Sequence, residues 1–520
     1  MSKQFYITTA IDYVNGQPHL GHAYEKIIAD VIARGHRMLG EEVFYLTGID
    51  EHGQKVQGAA AADGKDAQSY CDELASSWRK FANVLGLSNN DFVRTTDTRH
   101  KRVVQGLLAK LHADGHFYKS KYEGFYSKRQ ETFLTEKDQN EDGTWPEIYG
   151  EVEPLVEENY YFKMGAHQQW LIDHIEAHED FVRPESRRNE VLGFLKNHKL
   201  EDLCISRPKE RLTWGIPFPF DEEFVTWVWF DALPNYISIP ASRGDASVRD
   251  ALSLTDLKSD ESADLWPADV HVIGKDILKF HAVYWPIMLK AAGLPLPKQV
   301  LVHGWWQKDD AKISKSTGNT VNPVTIIDDW GLDAFRYYVI RELDIGPDGN
   351  WTDEGFAKRY ESELVKGVGN FINRSLTMLG KYREGVVPGQ SDELAKDVAV
   401  LVNEFEASLR ANRLQNALVG IWKIISLGDK YIDQTKPFKL AKDPVNAERL
   451  DAILYNLSEL CRIVSVLLTP FLPQTSARIR AQLGWDGDNG TLEDARWGIL
   501  KAGHKIGEVA GLFPRREPKI

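Results

Sequence analysis

The order of apolar and polar residues near the N-terminus predicts a strand, a helix and a second strand. Residues 4–11 are rich in aromatic and β-branched side chains and predict a buried strand. Residues 19–39 repeat apolar side chains at helical spacing, and residues 43–47 again predict a strand. Strand, helix and strand in this order form a βαβ unit, so we expect a parallel sheet.

The apolar pattern changes twice along the rest of the chain. From about 116 to 225 it alternates as in hairpin strands, which predicts an insertion, and the strand–helix pattern resumes near 270–276 and 300–304. After about residue 325 we expect no further strands but a helical bundle. Its helices are expected at Leu332–Leu343, Tyr360–Tyr382, Glu393–Leu409, Asn416–Asp433, Ala447–Leu468 and Thr475–Leu483.

The predicted fold is therefore α/β: a doubly wound, Rossmann-like parallel sheet, split by an insertion domain and followed by a C-terminal α-helical bundle. The chain has 520 residues, too many for one domain of the usual size of about 100–200 residues. The boundaries we expect are 1–115 and 226–325 for the two halves of the sheet domain, 116–225 for the insertion, 326–375 for a linker region and 376–520 for the helical domain.

Composition is that of an ordinary globular protein, with 42% hydrophobic and 27% charged residues. The N-terminus lacks the apolar core of a signal peptide, and no run approaches the ~18 apolar residues of a membrane span. We therefore expect a cytoplasmic protein with no membrane partner. Cys71, Cys204 and Cys461 stand far apart, which argues against a disulfide framework and against a cysteine-based zinc site.

The formal net charge of −13 disfavours a nucleic-acid partner when taken alone, because phosphate binding requires a basic surface. A local basic patch would nevertheless be sufficient. From residue 501 onward the basic residues outnumber the acidic residues Glu508 and Glu517. This segment is either a solvated tail or a nucleic-acid contact, and it contains Lys501, Lys505, Arg515, Arg516 and Lys519.

The run His19-Leu20-Gly21-His22 lies where the predicted helix begins. Ligands of parallel sheets bind beyond the carboxyl ends of the strands, where His19, His22 and Asp50 fall. A helix N-terminus offers N–H groups to phosphate, and Gly21 lets a nucleotide approach the backbone. The two imidazoles can donate hydrogen bonds as charge shifts during a displacement. The alternative interpretation is a pair of histidines without such a role.

The run Lys312-Ile313-Ser314-Lys315-Ser316 is basic and hydroxyl-rich and is soon followed by Gly318. The ammonium groups of Lys312 and Lys315 can hold a leaving pyrophosphate, with Ser314 and Ser316 as further donors. The alternative interpretation is a solvated basic loop.

Together the two motifs resemble the H-[IL]-G-H and K-M-S-K-S signatures of class I aminoacyl-tRNA synthetases. Four further stretches resemble the methionyl-tRNA synthetase family within that class, and the resemblance covers nearly the whole chain. They are Ala10–Gly16, Thr47–Gly53, Val228–Tyr236 and Ile273–His281.

This resemblance implies a pocket for L-methionine. Asp50 would meet the α-ammonium group of the substrate. A thioether has almost no hydrogen-bonding group, so shape, apolar burial and sulfur–aromatic contact would select it. Without the resemblance, the pocket aromatics would be interpreted as ordinary core residues. The remaining pocket positions are Ile11, Tyr13, Trp229, Ala232, Leu233, Tyr236, Ile277, Phe280, His281 and Trp285.

The resemblance also implies the ATP and tRNA contacts. Gly274 and Asp276 match positions near the ribose and adenosine, and Arg207 matches an arginine near the phosphates. The catalytic set would be His19, His22, Lys312, Lys315 and Arg207. Region 326–375 would contact the tRNA stem, and the helical domain would bind the anticodon through Asn370, Arg374 and Phe438.

Two positions depart from the family pattern. Phe438 stands where the family usually has a tryptophan that stacks on a base, so stacking remains but the indole N–H is absent. The stretch 126–133 resembles a zinc knuckle whose cysteines are replaced, so we expect no structural zinc. The insertion, roughly 110 residues by these boundaries, is too short for the separate editing domain of the isoleucyl, leucyl and valyl enzymes, so we expect none.

The implied activity is that of a methionine–tRNA ligase. ATP, as its Mg²⁺ complex, and L-methionine would give methionyl-adenylate and pyrophosphate, and the methionyl group would pass to tRNA(Met). We expect a monomer, since the sequence contains no obvious dimerisation domain. Two alternatives stay open: a paralogue that adenylates methionine for another acceptor, and a non-catalytic tRNA-binding regulator.

Overall fold

The computed structural model describes residues 4–14, 16–127, 129, 132–134, 136–140, 142–242, 265–308, 311–312, 321–487 and 490–516. The strands of these residues are β1 Phe5–Thr9, β2 Asp12–Tyr13, β3 Val43–Asp50, β4 Asp91–Arg94, β5 Phe117–Ser127, β6 Thr132–Leu134, β7 Val152–Phe162, β8 Val182–Arg183, β9 Leu203–Cys204, β10 Ser206–Pro208, β11 Pro217–Phe218, β12 Asp221–Thr226, β13 Val270–Gly274, β14 Val300–His303, β15 Trp306–Lys308, β16 Ala311–Lys312 and β17 Gly349–Trp351.

The α-helices of the same residues are α1 Leu20–Met38, α2 Gln54–Ala62, α3 Ala67–Val84, α4 Thr98–Ala113, α5 Gln168–Ala177, α6 Glu185–Asn197, α7 Val228–Ala232, α8 Asn235–Ser242, α9 Trp285–Ala292, α10 Pro323–Trp330, α11 Leu332–Glu342, α12 Asp353–Arg359, α13 Asn370–Arg383, α14 Ala395–Arg410, α15 Leu414–Thr435, α16 Pro437–Leu440, α17 Ala447–Leu467 and α18 Pro473–Leu483. Two π-helices, Phe280–Tyr284 and Tyr360–Gly369, precede α9 and α13.

The main sheet is parallel and confirms the predicted α/β class. Its central order is β3-β1-β13-β14-β8, and both β2 and β4 also pair with β3. All of these pairings are parallel, so the carboxyl ends of the strands meet at one edge. We call this the carboxyl edge.

Neighbouring residues of each strand face opposite cores, as expected for a sheet covered on both sides. Tyr6 and Ile273 belong to the core that contains α4, α9 and parts of the insertion. Ile7 and Val272 belong to the core that contains α1 and the C-terminal helices. The sheet is thus joined to the helical bundle through one face.

The insertion contributes to two different sheets. Strands β6, β5, β7 and β9 form an antiparallel sheet, which confirms the hairpin pattern predicted for this region. Strand β8 instead pairs parallel to β14 at the end of the main sheet. The range 116–225 therefore supplies a strand to the sheet that it interrupts.

The prediction that strands end near residue 325 was wrong. Strand β17 lies beyond that point and pairs parallel with β15, with Trp306 opposite Gly349. Three residues flanked by helical segments give too short a pattern to be recognised as a strand. The helices of the bundle are confirmed, with a π-helix replacing the first part of the helix predicted at 360–382.

The bundle is fastened to α1 by a buried ion pair. Arg336 on α11 lies 2.8 Å from Asp30 on α1, and both side chains are fully buried. The same guanidinium donates to the carbonyl oxygens of Leu85, Pro470 and Phe471. None of the helices in the described ranges is long and apolar enough to cross a membrane.

Candidate functional site

Helix α1 begins with a capping arrangement made by two imidazoles. His19 is the N-cap residue, and its Nδ1 accepts from the Gly21 N–H at 3.1 Å. Nδ1 of His22 accepts from the His19 N–H at 3.2 Å, and the two rings stack with centroids 3.7 Å apart. Because both Nδ1 atoms accept, each neutral ring carries its proton on Nε2. The helix N-terminus therefore presents two Nε2–H donors, a chemistry suited to phosphate oxygens.

Gly21 serves this cap as well as any approaching ligand. A Cβ at this position would stand 3.1 Å from Cε1 and 3.2 Å from Nδ1 of His19. A larger residue would therefore crowd the His19 ring in its capping position. The predicted role of Gly21, close approach by a nucleotide, stays a prediction beside this local one.

A buried ion pair lies next to the two histidines. Nζ of Lys26 is 2.5 Å from Oδ2 of Asp12, without hydrogen-bond alignment, and both side chains are almost fully buried. Nε2 of His22 is 3.9 Å from the other oxygen of Asp12. Burial raises the pKa of Asp12 to about 7, although Lys26 acts to lower it. Sequence reasoning did not identify this pair, and the only local signal was a lysine among the apolar residues of α1.

Asp50 is the last residue of β3 and is buried at the carboxyl edge. Its neighbour Glu51 is fully buried and receives hydrogen bonds from Nε and Nη2 of Arg94 and from the hydroxyl of Thr96. The next residue, His52, donates from Nδ1 to the carboxylate of Asp231, 2.6 Å away. The backbone that carries Asp50 is therefore held by buried charged groups immediately after it.

Asp231 holds two imidazoles at once. Its Oδ2 lies 2.6 Å from Nδ1 of His52, and its Oδ1 lies 2.8 Å from Nε2 of His100, whose Nδ1 contacts the hydroxyl of Ser238. Burial acts to raise the pKa of Asp231, but the two histidines outweigh it and hold the pKa at about 2. This carboxylate joins the end of β3 to α4 and α7. The sequence contains no local signal for this cluster, since its members are far apart along the chain.

Aromatic rings form one side of the predicted methionine pocket. Trp229 on α7 stacks on Phe280 with centroids 3.7 Å apart and an interplanar angle of 6°. The ring of His281 lies edge-on to Trp229 at 6.1 Å. The hydroxyl of Tyr236 is 2.7 Å from Nε2 of His281. These four residues, predicted from two separate motifs, therefore meet in the fold.

His281 is neutral in this environment. Its Nδ1 is 2.9 Å from the carbonyl oxygen of Ile277, which can only accept, so Nδ1 carries the proton and Nε2 accepts from Tyr236. Burial lowers the pKa of His281 to about 4. Its segment is a π-helix, a local widening that often occurs at functional sites.

The other predicted pocket residues lie on β2, on the helices after the insertion and in the loops beside them. Trp285 is fully buried and donates to Nε2 of His271, an interaction that sequence reasoning did not identify. Ala232 and Leu233 are buried at the end of α7, and Ile277 is partly buried. Ile11 and Tyr13 follow β1, and Tyr13 pairs in register with Asp50. The structure thus gathers these residues at the carboxyl edge, while their contact with methionine stays a prediction.

Asp276 and Gly274 lie at the end of β13. Oδ1 of Asp276 accepts from the indole N–H of Trp305 at 3.2 Å, and a Cβ at Gly274 would stand 2.6 Å from that oxygen. A side chain at 274 would therefore require the Asp276 carboxylate to shift. Lys275 pairs with Asp348 at 2.6 Å and lies over the Trp305 ring.

His303 ends β14 at the same edge, and sequence reasoning missed it. Its Nε2 lies 3.4 Å from Oε2 of Glu25 on α1, and its Nδ1 contacts the carbonyl oxygen of Gly304. Its position at the end of a predicted strand was the available signal. Glu25 lies about 1.7 helical turns after His19, so His303 packs near the start of α1.

The predicted basic loop lies mostly outside the described residues. Lys312 ends β16, which pairs with β15 through Gln307. Ser314, Lys315 and Ser316 fall outside the described ranges. Since β15 follows β14 directly, the backbone of Lys312 is reached from the carboxyl edge in a few residues.

The Arg207 side chain packs against aromatic rings. It is 3% exposed and lies over the ring of Phe133 at 4.9 Å and that of Tyr126 at 5.6 Å. Nη1 donates to the carbonyl oxygen of Ser206. Ser206 and Arg207 lie on β10, whereas the two rings come from β5 and β6 of the insertion sheet. The catalytic role of Arg207 stays a prediction.

The predicted anticodon residues lie on adjoining helices of the bundle. Asn370 and Arg374 are on α13, and Arg374 lies 3.5 Å from Asp429 and 3.8 Å from Asp433, both on α15. Phe438 follows α15 on the short helix α16 and is 45% exposed. The exposed face of Phe438 is suited to stacking on a nucleobase.

Among the described residues no group of three or more His, Cys, Asp or Glu is arranged to hold a metal ion. The three cysteines are unpaired thiols, two buried and one partly buried. The expected absence of zinc stays a prediction.

Comparison with known proteins gives the family. The family model of class I tRNA synthetases (M) matches residues 5–151 and 147–376. The model of the anticodon-binding domain of methionyl tRNA ligase matches residues 383–516. The two models together span nearly the whole chain.

Individual relatives agree over the same length. The methionine–tRNA ligase of Caldanaerobacter subterraneus is 40% identical over 524 residues, covering 99% of this chain and 79% of the relative. That of Bacillus subtilis is 41% identical over 533 residues, covering 99% and 78%.

Solved structures show the same similarity in three dimensions. The Mycobacterium tuberculosis methionyl-tRNA synthetase in complex with methionyl-adenylate superimposes with a TM-score of 0.89 at 34% identity, covering 99% of this chain and 100% of that one. Its apo form gives 0.85 at 32% identity, covering 100% and 99%. The chain therefore belongs to the methionyl-tRNA synthetase family of class I aminoacyl-tRNA synthetases.

Proposed function

We propose that this chain is a methionine–tRNA ligase whose first step takes place at the carboxyl edge. The carboxylate of L-methionine attacks the α-phosphate of ATP, which enters as its Mg²⁺ complex, and pyrophosphate leaves. The observation that best supports this is the meeting at one edge of Asp50, the ring cluster of Trp229 and His281, and the Nε2–H donors of His19 and His22.

In this step the histidines stabilise charge rather than transfer protons. Their Nδ1 atoms are occupied by the helix cap, so only the Nε2–H groups face an incoming phosphate oxygen. Lys312 and Lys315 would hold the leaving pyrophosphate, and Ser314 and Ser316 would add donors. Fixed donors of this kind contribute about 2.7–4 kcal/mol each to the transition state.

The substrate side relies on one charge and on shape. Asp50 would accept from the α-ammonium group. Both ring nitrogens of His281 and the hydroxyl of Tyr236 are already hydrogen-bonded. This pair therefore presents no unused donor to the apolar side chain of the substrate. Trp229, Phe280 and Trp285 would enclose the thioether, which favours methionine over polar amino acids. Asp276 and Gly274 would meet the ribose and adenosine.

The second step transfers the methionyl group to a ribose hydroxyl of the terminal adenosine of tRNA(Met). The exposed Phe438 would stack on an anticodon base, and Asn370 and Arg374 would contact the same loop. We propose that the chain acts as a monomer in the cytoplasm, with region 326–375 beside the tRNA stem and the helical domain on the anticodon.

Methionine-dependent exchange of labelled pyrophosphate into ATP, measured across the twenty amino acids, tests the first step. We expect exchange with methionine well above every other amino acid, and a preference for another one would contradict the pocket assignment. Lys315→Ala should lower kcat of exchange at least ~100-fold. Charging of purified tRNA(Met) tests the second step: adenylate formation without charging would point to another acceptor.

A further inference from the structure

A buried ion pair lies next to the imidazole of His22, and the reaction proposed above gives it no role. Lys26 follows His22 by four residues on α1, so the two side chains share one face of the helix. Nζ of Lys26 is 2.5 Å from Oδ2 of Asp12 on β2, and Oδ1 of the same carboxyl group is 3.9 Å from Nε2 of His22. One carboxyl group therefore stands between the lysine and the imidazole.

Packing alone does not require this pair. Both side chains are almost fully buried, and among the described residues neither Nζ of Lys26 nor Oδ2 of Asp12 has an aligned hydrogen-bond partner. The attraction between two such charges is largely offset by their loss of hydration, and apolar side chains at both positions often stabilise a fold equally well. We therefore looked for an effect of the pair on the residue beside it.

His22 is held on its other sides by two rings and by the helix cap. Its ring stacks on His19 with centroids 3.7 Å apart and lies edge-on to Trp78 at 5.0 Å. Its Nδ1 accepts from the His19 N–H, so the proton of the neutral ring is on Nε2, the nitrogen toward Asp12. At 3.9 Å a carboxylate is too far away to form a hydrogen bond with this N–H but close enough to act on its charge.

The charge of Asp12 depends on ionisable groups of α1 and β3. Burial raises the pKa of Asp12 to about 7; Lys26 acts to lower this pKa, and Glu25 acts to raise it. The carboxyl group is therefore ionised above about pH 7 and protonated below it. The ionisable groups around it are Lys26, Glu25 and His22 on α1 and Tyr45 and Asp50 on β3.

We infer that Asp12 is a positioning residue for His22 and that Lys26 keeps it charged. As negative charge develops on the phosphate oxygens, an imidazole that donates to them gains positive character. An ionised carboxylate beside the imidazole stabilises this character and orients the ring. Lys26 balances the charge of Asp12, so that the pair does not repel the polyphosphate. The inference rests on the proposed function, because it takes adenylate formation as the reaction.

The test is the pH dependence of kcat for methionine-dependent pyrophosphate exchange, measured from about pH 6 to pH 9. In the wild type we expect kcat to rise through an inflection close to pH 7, as Asp12 ionises. Asp12→Asn should remove the inflection and lower kcat at pH 8 about tenfold, as for the loss of a group that orients a functional imidazole. The KM for methionine should change less than twofold, because only the transition state loses a contribution.

Lys26→Met should move the inflection upward by about one pH unit, because Asp12 loses the neighbouring charge that lowers its pKa. Lys26→Arg keeps that charge and should leave the inflection close to its wild-type position. Arg34→Met is the matched control, since Arg34 is a cation on the same helix that pairs with Asp30 instead, at 2.7 Å. It should change neither kcat nor the inflection.

Two outcomes of these profiles would overturn the inference. An inflection that stays at the same pH in Asp12→Asn and Lys26→Met would belong to ATP or to the histidines themselves. An inflection that moves equally in Lys26→Met and Arg34→Met would reflect the general charge of α1 and not its contact with Asp12.

Nuclear magnetic resonance of His22 separates this inference from the proposed function. The protein is labelled with nitrogen-15 histidine, and the Nε2 signal of His22 is identified by its loss in His22→Gln. We expect this signal to shift with an inflection near pH 7 in the wild type but not in Asp12→Asn. If the wild type shows no exchange with methionine, the proposed function is contradicted and the signal still decides on Asp12. If exchange occurs and the signal is the same in both proteins, the role of Asp12 is contradicted and the proposed function stands.

Discussion

At the scale of single residues, the site depends on buried ionisable groups that act on their neighbours. Asp231 holds His52 and His100, Lys26 lies against Asp12, and Glu51 is held by Arg94. None of these is among the groups expected to touch a substrate. They position the groups that are expected to do so, because each set includes a residue only a few positions from His22 or Asp50 in the chain.

Asp231→Asn should raise the KM for methionine in pyrophosphate exchange about tenfold and change the KM for ATP less than twofold. An amide cannot accept from both imidazoles, so His52 loses its position two residues after Asp50, at a cost of about 1.5 kcal/mol. Asp91→Asn is the matched control. Asp91 begins β4, at the end of the strand opposite to the carboxyl edge, and pairs with Arg99. Equal effects on both KM values would show a general loss of structure instead.

Lys26→Met should destabilise the protein more at pH 8 than at pH 5. The pKa of Asp12 is raised to about 7 in the folded state, so the stability linked to its protonation is lost as the pH rises through 7. Removal of Lys26 raises the pKa of Asp12 further. At a pH above that pKa, the buried carboxylate is ionised without Lys26 beside it, at a cost of about 3 kcal/mol.

Thermal unfolding at the two pH values measures this difference. Lys110→Met, which breaks the exposed pair with Asp114, is the control and should change the midpoint little at either pH. If Lys26→Met lowers the midpoint of thermal unfolding equally at pH 5 and pH 8, the explanation given for Asp12 is contradicted.

At the scale of elements, α1 serves two parts of the molecule. The capping histidines lie at its start, and Asp30 in its middle forms an ion pair with Arg336 of α11. Asp30 also accepts from Ser88 and Arg34, and these partners lower its pKa against the effect of burial. The bundle is therefore anchored to the same helix that begins at the site.

Arg336→Lys should lower the midpoint of thermal unfolding by roughly 5 °C, corresponding to about 3 kcal/mol. Lysine keeps the charge but cannot reach Asp30 and three carbonyl oxygens at once, so buried acceptors lose their donors. Arg341→Lys on the same helix is the control, since its pair with Glu363 is partly exposed. Equal midpoints for the two variants would show that the buried network contributes nothing.

At the scale of the whole molecule, the site and the predicted anticodon surface are joined by one continuous apolar core. The apolar core on one face of the sheet continues into α13, α15 and α17. Activation of methionine needs only the carboxyl edge, whereas charging needs both ends. Variants of the bundle should therefore separate the two reactions.

Arg374→Gln should raise the KM for tRNA(Met) in charging about tenfold and leave methionine-dependent exchange unchanged, since a charged contact is worth about 1.5–3 kcal/mol. Arg383→Gln lies on the same helix, where Arg383 pairs with Asp451, and provides the control. The assignment of Arg374 is contradicted if exchange and charging fall together, or if the control loses as much.

Much of the fold followed from local pattern. The predicted helix at 19–39 is observed at Leu20–Met38, because the apolar spacing defines its length and His19 caps it. The strand predicted at 43–47 extends to Asp50, since the sheet continues to pair β3 with β2 and β4. β8 and β17 were not predicted, because two or three residues are strands only when a neighbour pairs with them.

For the site as well, short motifs predicted some features and only packing decided others. The residue types of His19, His22, Asp50, Trp229 and His281 were predictable, because short motifs carry their chemistry. The burial of Arg207 between Tyr126 and Phe133 was not, because it depends on how the insertion sheet packs.

By itself the sequence determined the class of fold, the family it resembles and the types of side chain that the reaction needs. These follow from periodicity and from motifs a few residues long. Only the tertiary structure decided which buried groups hold those side chains, as with Asp231, His52 and His100, and that segment 512–516 packs beside Tyr360, which donates to the carbonyl oxygen of Pro514. Such contacts join residues that are distant in the chain and are brought together only by packing. A local sequence pattern therefore cannot predict them.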